Sequence, residues 1–321
     1  MGYSPRKRAS RVVPRVTTWP EIKADKPKLL GFAGFKAGMT HTFLIDWRKT
    51  STTAGREVFA PATVLEVPPM KVVGVRLYGQ TVYGLKILGE VWSSRVDKTL
   101  ARRFPVSKEY ETESRLPVLR KIQPSEVRVM MCTQPHLVSG IPSKVPDIME
   151  VKVGGGKVED QVEYAISLLG KDVTIRDFIS EGKLVDVISV SRGKGFQGVI
   201  KRWGVKRLPH KSRKHVRAIA CAGPKRPGYV RPTVPQGGQT GFHTRTELNK
   251  RVIKIGDSGE EVNPAGGFPH YGVITNPYII VSGSVPGPPN RVIRLREAIR
   301  PKEQIDSVQV VYISTSSKQG A

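Results

Sequence analysis

Residues 29–46 read LLGFAGFKAGMTHTFLID, with small and apolar side chains alternating along most of the run. Residues 62–78 (ATVLEVPPMKVVGVRLY) and 81–92 (TVYGLKILGEVW) follow it, rich in β-branched and aromatic side chains and punctuated by Gly and Pro. That spacing is the pattern of short strands in a barrel or sandwich. Further on, residues 183–190 (KLVDVISV), 271–285 (YGVITNPYIIVSGSV) and 306–314 (DSVQVVYIS) read as strands again. Between the two groups, residues 158–169 (VEDQVEYAISLL) set Val162, Ala165, Ile166 and Leu169 at helical spacing, and Gly170 stops the run. Thr174 to Asp177 form a capping box for a short helix reaching Glu181. The expectation is a mainly β fold with a small helical insertion.

Charge then separates the chain into parts. Residues 101–190 hold thirteen basic and thirteen acidic side chains, an ordinary globular balance. Residues 192–254 hold seventeen Lys or Arg against one acid, Glu247, and carry most of the formal net charge of +26. Such density is relieved by a polyanion, because like charges confined to one surface repel. The segment shows hardly any apolar periodicity, so it cannot build a core and orders only against a partner. It lies between strands, an excursion from the β fold rather than a tail. The reading divides the chain into a basic arm (1–28), a first β segment (29–100), a mixed helical insertion (101–182), a returning strand (183–192), the basic central extension (193–268) and a final β segment with a basic loop (269–321).

Within the arm, Arg6, Lys7, Arg8, Arg11 and Arg15 are spaced by prolines that break any helix. In the extension, Gly193-Lys-Gly195-Phe-Gln-Gly198 matches a dinucleotide fingerprint. The residues that follow reach Gly204 and Pro209 too soon for a long helix, and no acid stands about 20 residues on to hold a ribose. With Arg192, Lys194, Lys201 and Arg202 beside it, the turn suits phosphates approached by backbone amides. A cationic stem follows: Lys206, Arg207, His210, Lys211, Arg213, Lys214, His215 and Arg217. Trp203, Tyr229 and Phe242 are interleaved aromatics that can stack on unpaired bases or anchor local packing. Lys225 and Arg226 sit in a Pro- and Gly-bounded loop tip, followed by Arg231. Gln236 and Gln239 lie in a polar glycine segment, and His243, Arg245, Lys250 and Arg251 complete the candidate contacts.

Catalytic chemistry has little support. The six histidines make no metal-ligand pair with each other or with the cysteines, and neither a nucleophile elbow nor a phosphate-binding P-loop occurs. No metal or cofactor is expected, and no small-molecule substrate. A nucleotide-dependent RNA-modifying enzyme using Gly193–Gly198 is the second reading, and a DNA-architectural protein the third. No apolar run approaches 18 residues, so no membrane partner is expected. Cys132 and Cys221, 89 positions apart, read as buried structural thiols.

Residues 186–202, DVISVSRGKGFQGVIKR, resemble the signature of the universal large-subunit ribosomal protein L-three family. Asp186, Ser189, Ser191, Gly193, Lys194, Gly195, Gly198 and Arg202 match; Ile179 departs from an aromatic or Leu position. Residues 35–40 (FKAGMT, with Lys36 a further candidate contact), 238–249 and the 5–9 arm are also similar, and the long inserts resemble the archaeal or eukaryotic branch. The resemblance implies a split β-barrel of the translation-protein type and a structural role in the large subunit of cytoplasmic ribosomes. It implies rRNA and neighbouring ribosomal proteins as partners, with Mg2+ only as rRNA-bound ions. It also implies that the extension tip lies near the peptidyl transferase centre. The family's tip tryptophan position falls at Lys225, where an ammonium cannot reproduce indole stacking.

Overall fold

The computed structural model describes residues 3–22, 24–48, 50–94, 96–107, 110–212, 215–301 and 308–319. In chain order the first strands are β1 (Lys28–Leu29), β2 (Gly31–Ile45), β3 (Glu57–Glu66), β4 (Met70–Thr81) and β5 (Gly84–Trp92). Next come β6 (Glu126–Cys132), β7 (Ile148–Gly154), β8 (Asp172–Val173), β9 (Leu184–Val190) and β10 (Phe196–Gln197). The last are β11 (Gly238–Gln239), β12 (Thr244–Gly256), β13 (Tyr278–Ser282), β14 (Val292–Glu297) and β15 (Val310–Ile313). Three α-helices are α1 (Thr112–Arg120), α2 (Val158–Ser167) and α3 (Val199–Trp203). The chain forms two compact units: a β unit of Val13–Ser189 with Thr246–Ala321, and an extension unit of Met1–Val12 with Val190–Arg245.

The β unit is mainly β, as the alternation predicts. Its larger sheet runs β14-β9-β12-β13-β3-β2-β15. β14 takes β9 on one edge and β2 on the other, so six of the pairings form a cycle, with β15 added on β2. The smaller sheet runs β1-β7-β6-β4-β5, with β8 on β4. The sheets do not form a closed barrel, so the expected split β-barrel holds only as a mainly β fold. β2 explains its own small residues. Its first seven positions are buried, and a Cβ at Gly34 would lie 2.6 Å from Val67 Cγ1 and 3.0 Å from the Glu66 carbonyl oxygen. Phe32, Leu65, Tyr278, Ile293 and Leu295 fill the core between such strands.

Several expected boundaries shift. Residues 101–182, expected as a mixed helical insertion, carry β6 and β7, which supply the middle of the smaller sheet. Val127, Val129, Met149, Val151 and Val153 point inward while Glu126, Arg128, Glu150 and Lys152 alternate with them. β4 and β5 belong to this sheet too, so residues 29–100 are divided between the sheets. The extension ends near Arg245 rather than at 268, since β12 pairs with β13 from Val252 to Gly256. The strand expected over 271–285 is restricted to Tyr278–Ser282, and the start of the 306–314 strand lies outside the described residues. By contrast α2 and the Thr174–Asp177 capping box stand where expected, the latter on a single 3-10 turn.

Charged side chains on the smaller sheet are paired with one another. Arg76 bridges Glu90 at 2.7 Å and also meets Glu150. Arg128 reaches Glu126 at 2.9 Å, Lys152 reaches Glu126 at 3.0 Å, and Tyr78 donates to Glu150 at 2.9 Å. Burial pushes the Glu126 carboxyl up, but hydrogen bonds and charge from Arg128 and Lys152 more than offset this and hold it below its ordinary 4.5. A depressed carboxylate stabilises the fold above its ordinary pKa, and that contribution disappears as pH falls through the lowered value. A Glu126→Gln chain is therefore less stable at pH 7 by about 1 kcal/mol or less, as for a partly exposed pair screened by solvent. The gap between the two chains closes on acidification below the ordinary carboxylate range. Thermal melts of both chains across pH 2–7 check this; a gap that is constant with pH sinks it.

Two buried polar groups organise the larger sheet. Asp186, fully buried, accepts from Arg296 Nη2 at 2.7 Å, the Asn249 amide at 3.0 Å and the Ile299 amide at 3.2 Å. Lys36 is the second. Its Nζ donates to the carbonyls of Val285 at 2.6 Å and Gly287 at 2.9 Å, and burial pushes its pKa down. Lys36 thus clamps the Pro-rich loop before β14 instead of offering a cation to RNA, a correction to its expected role. β2 is buried on both faces over this stretch, so Lys36 is enclosed with its neighbours. Cys132 is buried and its thiol is pushed up to about 12, chiefly by burial. Cys221 is exposed, contrary to expectation, because the loop around it has no core to enter.

Candidate nucleic-acid interface

The extension unit begins where β9 ends. The Ser191 amide donates to the His243 carbonyl at 2.9 Å, Lys194 to Thr240 at 2.9 Å, and Thr240 to Gly195 at 2.8 Å. β10 then pairs antiparallel with β11, Phe196 opposite Gln239 and Gln197 opposite Gly238. The outgoing and returning chains are thereby zipped into a short stalk. Gly241 permits this closure: its φ is +69°, and a Cβ there would stand 2.0 Å from the Arg192 carbonyl oxygen. Replacing Gly241 by Ala adds the left-handed strain, about 1–2 kcal/mol, to that clash. The stalk should open, and the Lys194 and Thr240 amides should exchange with deuterium roughly tenfold faster or more. Unchanged exchange at both would show the stalk tolerates a side chain.

α3 follows the Gly-rich turn and lasts five residues before Gly204, at φ +70°, ends it. So short a helix offers no developed dipole to a pyrophosphate, which removes the structural basis of the nucleotide reading. The turn's Lys194 amide is also already engaged in the stalk, by the Thr240 carbonyl.

The N-terminal arm is bound into the same unit. The Ala9 amide donates to the Phe242 carbonyl at 2.8 Å. His243, 7% exposed, faces the Lys7 carbonyl oxygen through Nδ1 at 2.8 Å, so Nδ1 carries the proton. Arg6 donates to the Arg202 carbonyl at 2.8 Å and lies 3.8 Å over the Trp203 ring centroid. Arg202 donates to the Gln239 and Gln236 carbonyls at 3.1 and 3.0 Å, and Trp203 Nε1 to Gln236 at 2.9 Å. Arg245 lies 4.0 Å over the Tyr3 ring. Five expected contact residues — Arg6, Arg202, Trp203, His243 and Arg245 — thus also brace the unit internally. Pairs separated by up to 236 positions left no local trace of this in the sequence.

Past Trp203 the described residues form neither helix nor strand until β11. Lys206, Arg207, His210, Lys211, His215 and Arg217 are exposed, as are Lys225, Arg226, Tyr229 and Arg231. So are Arg192, Lys194, Lys201 and Gln236, and in the arm Lys7, Arg8 and Arg11. Gly193, Gly195 and Gly198 are exposed in the turn, and Gln239 turns its amide back to the Thr240 and Gly241 carbonyls. Arg213 and Lys214 lie outside the described residues. Among the described residues from 191 to 245, only His243 is buried. In the β unit, Arg15 is exposed, Lys250 pairs with Glu247 at 3.6 Å, and Arg251 lies 3.7 Å over the Trp47 ring. No group of three or more His, Cys, Asp or Glu among the described residues could hold a metal ion. No helix among them is long and apolar enough to cross a membrane.

A β unit with a complete core, joined in one chain to a basic and almost coreless extension, defines a class of proteins that anchor by a domain and reach into a polyanion with an arm. Known sequences narrow the class. The family model described as Ribosomal protein L3 matches residues 1–320. The large ribosomal subunit protein uL3 of Archaeoglobus fulgidus is 53% identical over 324 residues, covering 100% of this chain and 97% of that protein. The protein of the same name from Picrophilus torridus is 45% identical over 323 residues, covering 100% and 96%. That from Pyrobaculum calidifontis is 47% identical over 327 residues, covering 99% and 96%. The chain belongs to the ribosomal protein L3 family.

Proposed function

We propose that this chain is a structural constituent of the large ribosomal subunit, on cytoplasmic ribosomes, that binds and orders large-subunit rRNA. The observation that carries the reading is the run from 191 to 245, whose described residues bury only His243 while presenting a dense set of cations. Burial cannot hold such a segment in place; counterion release from RNA phosphates can. The β unit, with its own core, packs beside neighbouring ribosomal proteins. Lys225 and Arg226 form the leading point of the extension, directed toward the peptidyl transferase centre. There a lysine contacts phosphate or an Mg2+-bridged backbone through charge, not stacking. The enzyme alternative loses its footing with the five-residue α3.

Each phosphate neutralised adds about 0.7–0.9 to the slope of log affinity against log salt. The full chain should therefore bind protein-free large-subunit rRNA with a steep slope, prefer it to duplex DNA at matched salt, and co-sediment with large subunits in high-salt gradients. Equal binding to duplex DNA, with loss from the subunits at high salt, would overturn the reading.

A further inference from the structure

Phe196 stands in the middle of the Gly-rich turn and is 79% exposed, although it sits on a hydrogen-bonded strand. Leaving a phenylalanine in water forgoes most of the stabilisation its burial would bring. The setting of the ring indicates what covers it. One side rests against glycine backbone: a Cβ at Gly237 would approach Phe196 Cε1 to 3.2 Å, so only Gly gives the ring an unforced seat. Around the turn the space is open, since a Cβ at Gly195 or Gly198 would meet nothing within 4 Å. The ladder opposite Gln239 fixes the backbone beneath the ring, so little orientational freedom is left to lose on binding. Exposed Arg192 and Lys194 flank it, and the chain from there carries no acid before Glu247.

We propose that Phe196 is a stacking platform for an unpaired rRNA base, with Lys194 and Arg192 holding the adjoining phosphates. An exposed flat apolar face backed on one side, in a stretch of chain with exposed cations close in sequence, matches a nucleotide in both of its parts. The base meets the ring, and the backbone meets the charges. An apolar protein surface would cover the ring but leave the cations unmatched. The inference rests on the rRNA-binding reading above and adds to it a base-recognition site.

The test uses the full chain, protein-free large-subunit rRNA as probe, and four variants: Phe196→Ala, Phe196→Leu, Phe196→Trp and Lys194→Ala. Stacking on one base corresponds to a roughly 5- to 150-fold change in Kd. Phe196→Ala should weaken binding by a factor in that range at every salt concentration, leaving the salt slope unchanged. Phe196→Leu, apolar but not planar, should weaken it similarly, and Phe196→Trp should bind as tightly as the parent chain. Lys194→Ala should instead lower the slope by about 0.7–0.9. Circular dichroism melts check that each variant keeps its fold. If the parent chain binds rRNA steeply and Phe196→Ala or Phe196→Leu binds equally well, the stacking site is wrong and the rRNA reading stands. If Phe196→Ala binds rRNA normally yet enters subunits poorly, the ring docks on protein and the proposal fails. If the parent chain does not bind rRNA, both readings fall.

Discussion

A chain lacking residues 207–229 should melt at the temperature of the full chain and yet be largely missing from large subunits. The two halves of this result have different causes. No described residue in that span is buried, so its removal takes nothing from a core. The stalk hydrogen bonds, from Ser191–His243 to Phe196–Gln239, lie outside it and survive. The span does carry seven Lys or Arg and no acid. If each neutralises one phosphate, the salt slope of rRNA binding falls by up to about 5–6. At physiological salt that is a loss of orders of magnitude in affinity, enough to lose the competition for assembling subunits. Gradient fractionation of cells expressing both chains measures occupancy directly. Equal occupancy and equal translation would mean that the exposed cations do not hold the chain in place.

Asp186→Ala should be the most damaging single substitution for stability, at about 3–5 kcal/mol. The carboxylate is fully buried, and it neutralises a guanidinium, Arg296, that is itself only 5% exposed. Removing it leaves a cation in the core, and strands the Asn249 and Ile299 amides as well. For a unit of this size the loss corresponds to roughly 6–20 °C in melting temperature. Adding Arg296→Met in the same chain should restore part of it, because the isolated charge, not the missing ion pair, is the main cost. A double variant as unstable as the sum of its parts would refute that account. Asp186 matches the family signature beside the glycine turn, yet its work is done inside the β unit.

The strands that decide the fold class were legible because each buries a face or a whole run. β2, β9 and the apolar face of α2 all follow from the local order of side chains. β6 and β7 were harder to see. Their outward positions are charged and nearly neutral in sum, so the segment passes for ordinary globular surface unless the alternation of Val127, Val129, Val151 and Val153 is followed closely. Lys36 shows the limit of counting cations: a basic residue in a buried strand is a clamp, not a contact. The interface was legible in its charge and its glycines. Its bracing was not, since the Arg6 guanidinium meets Trp203 across 196–197 positions of chain, and nothing near either residue announces the other. Phe196 escaped notice for a simpler reason. Phenylalanine in a sequence reads as core until the structure shows it bare.

The Lys7–His243 contact also sets a timetable. The two residues are 236 positions apart, and the arm comes off the synthesising ribosome first. At about 5–20 residues per second, roughly 10–50 s pass before its seat exists. Throughout that interval Arg6, Lys7, Arg8 and Arg11 are loose cations in a compartment full of nucleic acid, while every strand of the smaller sheet has already been made. The arm is thus made long before it can be placed. A pulse-labelled nascent chain should keep its arm open to protease until residues near 243 have emerged.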